Sequence, residues 1–212
     1  MSLTPVKIPI LVKKMFPNYI WDIPSETNTI YITFDDGPTP GVTDLVLDIL
    51  KTYNAKATFF SVGENAIKHP ELTKRILEEG HVLGNHTYNH INGWKTKTRD
   101  YLGNIDEASK VINSNLFRPP YGQLTPKQGK KLIENGYQII MWNVISLDWD
   151  KTVSKETCLS NVISKTTKGS IVVFHDSVKA SKNMLFALPK VLEHFSNLGY
   201  YFKAIKIKRI AV

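Results

Sequence analysis

Two kinds of apolar spacing alternate along the chain. Thr29–Phe34, Ala57–Val62, Val82–Asn85, Leu116–Arg118, Gln138–Val144, Ser170–His175 and Tyr201–Ile205 are short runs, most of them rich in β-branched and aromatic residues, and read as buried strands. Thr43–Tyr53, Glu71–Glu79, Arg99–Asn113, Thr125–Asn135, Lys155–Lys165 and Leu185–Leu198 lie between them and read as helices. Pro70 precedes one helix, and Gly80, Gly136 and Gly199 follow three, which fits start and stop chemistry. Strands alternating with helices at this spacing predict βα units and an α/β fold with a parallel sheet of about seven strands. The periodicity leaves open whether that sheet closes into a barrel or lies flat. Residues 1–28, interrupted by Pro5, Pro9 and Pro17, are expected to form an irregular N-terminal arm packed on a single domain, 29–212. No internal repeat, low-complexity tract or linker divides that domain.

Composition narrows the function classes. With 212 residues, 42% hydrophobic and 22% charged, this is an ordinary globular chain large enough to bury a core. The net charge of +8 comes from scattered lysines with small clusters at Lys13–Lys14, Lys127–Lys131 and Lys203–Arg209. No concentrated basic face interleaved with aromatics is evident, which argues against a nucleic-acid partner. A solvated basic surface is the plain reading, and an anionic polymer or a peripheral membrane contact is the functional one. No apolar run approaches the roughly 18 residues needed to cross a bilayer. No leader pattern is visible, so a cytoplasmic or membrane-peripheral location is expected, with a leader removed beforehand as the alternative. Cys158 has no partner for an internal disulfide and is expected to be a buried structural thiol.

Candidate chemistry gathers just after strand ends, where ligand sites of parallel α/β folds lie. Asp35 and Asp36 end the first strand and are followed by Gly37-Pro38. Adjacent carboxylates repel and call for a metal or an arginine, although Asp-Asp-Gly-Pro is also good turn chemistry. His86 and His90 stand four residues apart, which on a helix would let two imidazoles share a divalent cation. With a carboxylate from another strand they would form a three-ligand set with open positions. Arg118-Pro119-Pro120-Tyr121-Gly122 is a stiff turn, suited to hold an arginine against a carboxylate or to serve as a rigid surface loop. Asp148-Trp149 follows the fifth strand, and His175 ends a strongly apolar one. A histidine there suits a proton donor held by an aspartate, with Trp149 as an apolar wall; a core tryptophan and a strand-capping histidine are the plain alternatives.

Together these pieces resemble the polysaccharide deacetylases, carbohydrate esterase family 4 with its NodB-homology domain, over nearly all of 29–205. The family's motifs appear in order: Thr-Phe-Asp-Asp-Gly at 33–37, His-Thr-x-x-His at 86–90, Arg-Pro-Pro-Tyr-Gly at 118–122, Asp-Trp at 148–149, and the apolar strand ending in His175. The resemblance implies a distorted, incomplete (β/α) TIM-like barrel and metal-dependent removal of N-acetyl groups from an amino-sugar glycan. It implies Asp35 as catalytic base paired with Arg118, and Asp36, His86 and His90 as ligands of a divalent metal, zinc first, with cobalt, nickel or manganese as alternatives. By the same resemblance Tyr121 offers its backbone N–H to the oxyanion, His175 is the general acid held by Asp148, and Trp149 and Val173 line the acetyl pocket. Ile145 stands where many members carry an acidic residue, and Val173 where leucine is usual, which leaves pocket shape open. Hydrolysis of a non-sugar amide and a catalytically silent glycan-binding module are the rival readings. The glycan, the metal and the oligomeric state are not legible here.

Overall fold

The computed structural model describes residues 4–206; residues 1–3 and 207–212, including the end of the Lys203–Arg209 cluster, lie outside the described residues. In chain order the elements are α1 (Ile10–Met15), β1 (Thr29–Asp35), α2 (Thr43–Thr52), β2 (Thr58–Ser61), α3 (Gly63–Lys68), α4 (Pro70–Glu78), β3 (Val82–Asn85), α5 (Thr98–Ser109), β4 (Leu116–Phe117), α6 (Pro126–Glu134), β5 (Gln138–Ile139), β6 (Val144–Ile145), α7 (Lys155–Lys165), β7 (Ile171–His175), α8 (Ser181–Asn197) and β8 (Tyr201–Phe202). The strands run β5-β4-β3-β2-β1-β7-β6, with β8 paired to the start of β1, and every ladder is parallel. The sheet curls into a half-barrel, the incomplete (β/α) barrel expected.

Alternation along the strands decides which side chains meet. Ile30, Ile32 and Phe34 join Phe59, Val172 and Phe174 in the outer core, where they meet Leu47 and Leu50 of α2, Val162 of α7 and Leu188, Val191 and Leu192 of α8. Phe34 stacks between Phe59 and Phe174, with ring centroids 5.0 and 6.2 Å away. The odd-numbered partners of β1, Thr33 and Asp35, take the inner face with Phe60 and Val173. Register then sets Asp35 beside Phe60 on one side and His175 on the other.

Three expectations change. Gln138–Val144 is not one strand: it breaks into β5 and β6 because the arm and an arginine take the intervening backbone. Ile20 donates to the Ile139 carbonyl (2.9 Å) and accepts from the Met141 N–H (2.7 Å), while the carbonyls of Ile140 and Met141 turn to Arg118. The arm is not wholly irregular, since it contains α1, and Lys7 forms an antiparallel bridge to Val144 on the free edge of β6. The helix expected from Glu71 is preceded by α3, with the chain bending at His69-Pro70.

Cys158 is fully buried on α7, and burial, with Asp148 nearby, pushes its thiol well above the ordinary range. The folded protein should therefore resist a thiol-labelling reagent that reacts fully after denaturation. Labelling at the rate of a free thiol under native conditions would contradict this packing.

Candidate active site

The catalytic candidates sit where the strands of the half-barrel end. Asp35 closes β1, and Asp36 follows in the left-handed region at φ 83, which turns the chain away from strand geometry. That turn lets two consecutive carboxylates face one cavity, which strand alternation alone forbids. The loop is held from behind by Asp176. Its carboxylate accepts the Gly37 N–H (3.0 Å) and the Thr43 hydroxyl (2.6 Å), and its own N–H donates to the Asp35 carbonyl (3.2 Å). A Cβ at position 37 would run into that carboxylate, so glycine is required there. Burial, with Asp36 close by, outweighs these hydrogen bonds and pushes Asp176 up to about 7.

His86 and His90 do not lie on a helix. Thr87 (φ 65) and His90 (φ 58) are left-handed, and the segment loops so that both rings come to Asp36. The His90 Nε2 is 3.1 Å and the His86 Nε2 3.8 Å from the Asp36 Oδ1, and the ligand atoms of all three residues lie within 4.8 Å of one another. Both Nδ1 atoms are engaged elsewhere, His86 with the Arg118 carbonyl (2.8 Å) and His90 with the Tyr121 hydroxyl (3.1 Å). Burial lowers His86 to about 4, so its imidazole is neutral at physiological pH. Burial works against the charge of Asp36, but the His90 hydrogen bond and the imidazoles of His175 and His86 hold it well below the usual carboxylate range. Two oriented imidazoles and one carboxylate fit a divalent cation, with the Nδ1 contacts fixing which nitrogen is offered.

Arg118 is completely buried. Its Nη1 donates to the Asp35 Oδ1 and the Thr33 hydroxyl, both at 2.7 Å, while Nε and Nη2 donate to the carbonyls of Ile140 (3.1 Å) and Met141 (2.9 Å). Its guanidinium lies 4.1 Å from the Phe60 ring centroid and 5.9 Å from that of Trp142. Across the site, Asp148 grips His175 twice: Oδ1 with Nδ1 and Oδ2 with the backbone N–H, each at 2.8 Å. Burial opposes a charged His175, but Asp148, reinforced by Asp36 and Asp35, more than offsets it and pushes the imidazole up to about 9. Trp149 stands edge-on to His175 with centroids 4.6 Å apart.

These groups surround one cavity of about 490 Å³. Asp35, Asp36, His86, His90, Tyr121, Trp149, Val173 and His175 line it, as does Ile145; Arg118 and Asp148 stand directly behind Asp35 and His175. Tyr121 is left-handed (φ 61), and its N–H has no hydrogen-bond acceptor among the described residues. Sequence reasoning missed four residues. Thr33 and Asp176 support Asp35 and its loop, Trp142 walls the cavity, and Thr4 of the arm reaches its rim. Asp176 carried a readable signal, a carboxylate directly after an apolar strand end. Nothing local marks Thr4 or Trp142. A larger opening of about 640 Å³ around His81, Asn115 and Lys206 lies at the opposite ends of the strands and contains none of these groups.

With this geometry in place, residues 22–140 match the family model described as Polysaccharide deacetylase. The chain belongs to the polysaccharide deacetylase family. A peptidoglycan-N-acetylglucosamine deacetylase of Bacillus cereus is 35% identical over 205 residues, spanning 92% of this chain and 96% of the relative. The crystal structure of a peptidoglycan N-acetylglucosamine deacetylase in complex with an N-oxidanyl-benzamide superposes with a TM-score of 0.86 at 34% identity, covering 93% of this chain and 95% of the other. A family pseudoenzyme from Bacillus anthracis also shares the fold, with a TM-score of 0.76 at 25% identity over 88% of this chain and 66% of the other. Membership carries the reaction class, removal of N-acetyl groups from amino sugars of a glycan. Because the family includes a pseudoenzyme, the activity of this chain rests on its own residues.

Removing one member of a buried ion pair leaves the other charge uncompensated, at a cost of about 3–5 kcal/mol. Arg118→Met should therefore lower unfolding stability by about that much. Lys68→Met, which removes an exposed pair with Glu64, should change it by less than about 1 kcal/mol. Equal effects of the two substitutions in denaturant melts would contradict the placement of Arg118.

Proposed function

We propose that the chain is an active, divalent-metal-dependent deacetylase of N-acetylated amino sugars in a bacterial cell-wall type glycan. The observation that carries this is the pair of histidines whose Nδ1 atoms are pinned so that Nε2 of each faces Asp36, beside an arginine-paired Asp35 and an aspartate-paired His175 in one cavity. The glycan assignment draws on the bacterial relative, which is named for peptidoglycan.

Asp36, His86 and His90 would hold the cation, zinc first by the mixture of imidazole and carboxylate donors. When bound, such a cation polarises an acyl oxygen and makes a water more acidic. Asp35 stands one residue from Asp36 on the same cavity wall and accepts the proton of the attacking water, while Arg118 keeps its carboxylate oriented. The Tyr121 N–H donates to the developing oxyanion. His175, protonated through neutral pH and held by Asp148, delivers a proton to the departing nitrogen, so that an amine leaves rather than an amide anion. Trp149, Val173 and Ile145 give the cavity an apolar side for the acetyl methyl. Ile145 in place of an acid leaves that side uncharged.

Acetate release from a panel of N-acetylated glycans, with and without a strong chelator, tests this reading. Release that stops with chelator and returns with zinc is expected, and release indifferent to chelator would contradict it. Asp35→Asn should keep the metal and lose turnover by about 10²–10⁴-fold, the range for a general base. His86→Ala should lose the metal itself. If Asp35→Asn releases metal and His86→Ala retains it, the two roles are exchanged.

The alkaline side of the pH–rate profile tests His175. A raised value means that the imidazole keeps its proton through neutral pH and loses it as pH rises towards about 9, somewhat lower with a dication nearby. Asp148→Asn removes the charge that raises it, so the alkaline limb should move to lower pH while metal content holds. A variant that is less stable, yet keeps its alkaline limb in place, would reduce Asp148 to a loop cap.

A further inference from the structure

The backbones of the two loops that carry Asp36, His86 and His90 are joined by four consecutive residues. The Val62 N–H donates to the Gly37 carbonyl (3.0 Å), the Gly63 N–H to the Thr87 carbonyl (2.9 Å) and the Glu64 N–H to the Tyr88 carbonyl (2.8 Å). Asn65 follows, its Nδ2 donating to the Asp36 carbonyl (2.8 Å). Residues 62–65 lead from β2 into α3, so one strand-to-helix junction touches both loops. Gly63 permits the close approach: a Cβ there would stand 3.0 Å from Ala108 of α5 and from the Tyr88 ring. Other supports serve one loop each. Asp176 bonds to the aspartate loop, and the Asn104 side chain of α5 accepts the N–H groups of Tyr88 (2.9 Å) and Asn89 (3.4 Å) in the histidine loop.

Asn65 completes a grip on one peptide group. The unit that joins Asp36 to Gly37 has its carbonyl on Asn65 and its N–H on Asp176, and the next carbonyl, that of Gly37, is taken by Val62. Asp36 needs such a grip, because an L residue is disfavoured at φ 83. Released, it would relax towards extended geometry, and its carboxylate would turn from the face it shares with Asp35. The distances of 3.1 and 3.8 Å from the Asp36 Oδ1 to the two imidazoles therefore depend on how this peptide is held.

Resting on the proposed metal site, we propose that Asn65 is a positioning residue for the divalent cation. It acts through the Asp36 carbonyl, and with residues 62–64 it sets the spacing between the carboxylate and the two imidazoles. Asn65 does not line the catalytic cavity, so its effect reaches the chemistry only through Asp36. Supports of this kind typically account for about 10–100-fold in metal affinity or activity.

Zinc affinity of the full chain, measured by competition with a chromophoric chelator, tests this in Asn65→Ala and Asn65→Leu, with Asn161→Leu as control. Asn161 on α7 is also half-buried and makes the same kind of bond, from Nδ2 to the Ser146 carbonyl (3.1 Å), on the segment that carries Asp148 rather than a ligand. Melting of the zinc-free proteins is followed alongside. Both Asn65 variants should weaken zinc binding about 10–100-fold, and the visible spectrum of their cobalt-loaded forms should change. Asn161→Leu should leave affinity and spectrum as in the wild type, with a zinc-free melting temperature no higher than that of Asn65→Leu. Asn65 variants that bind zinc as tightly as the wild type would overturn the positioning role. So would equal losses of affinity in the Asn65 and Asn161 variants, the mark of general loosening. A wild type that binds no zinc would overturn this inference and the metal-dependent reading together. If zinc binding depends on Asn65 but no glycan releases acetate, the positioning role stands and the catalytic reading falls.

Discussion

The site depends on a fully buried cation. Arg118 lies beneath the half-barrel mouth, and each of its three nitrogens finds an acceptor on the protein: Asp35, Thr33, Ile140 and Met141. A guanidinium there is tolerated only because all these acceptors are in place and Phe60 covers its face. The demands of one side chain therefore reach far along the sequence. Thr33 is on β1, Phe60 on β2, and Ile140 and Met141 leave the sheet to present their carbonyls. The arm takes part as well, because Ile20 holds the backbone on both sides of Ile140. The interruption between β5 and β6 is thus a consequence of the site rather than a defect of the fold.

From Arg118 outward, each functional group is fixed by a second one. The Arg118 carbonyl accepts from the Nδ1 of His86, so the arginine turn orients a candidate metal ligand as well as the candidate base. Tyr121 on the same turn holds His90. Asp148 holds His175, and Asp176 holds the backbone from which Asp35 and Asp36 project. Every side chain facing the cavity with a chemical task is therefore pre-set before a ligand arrives, which is the condition for electrostatic catalysis.

Much of this was legible in the chain, for identifiable reasons. Short β-branched and aromatic runs and glycine stops exposed the order of strands and helices, and the family's motifs located ten of the residues that surround or support the cavity. What escaped was tertiary in origin. The spacing of His86 and His90 suggested a helix, yet the rings meet through two left-handed residues in a loop. The run at 138–144 looked like one strand because five of its seven side chains are apolar; the arm and Arg118, distant in sequence, divide it. Thr4 gave no sign of reaching the cavity rim, since the arm is laid along β6 by backbone contacts distant in sequence, among them Val6 with Ile145 and Lys7 with Val144.

The central claim is that two neighbouring aspartates have different tasks, Asp36 for the cation and Asp35 for the arginine. Anomalous diffraction from crystals grown with zinc tests it most directly. The account predicts one peak per chain, touching Asp36, His86 and His90, with Asp35 still on Arg118. A peak bound by Asp35, or no ordered metal between these residues, would contradict it.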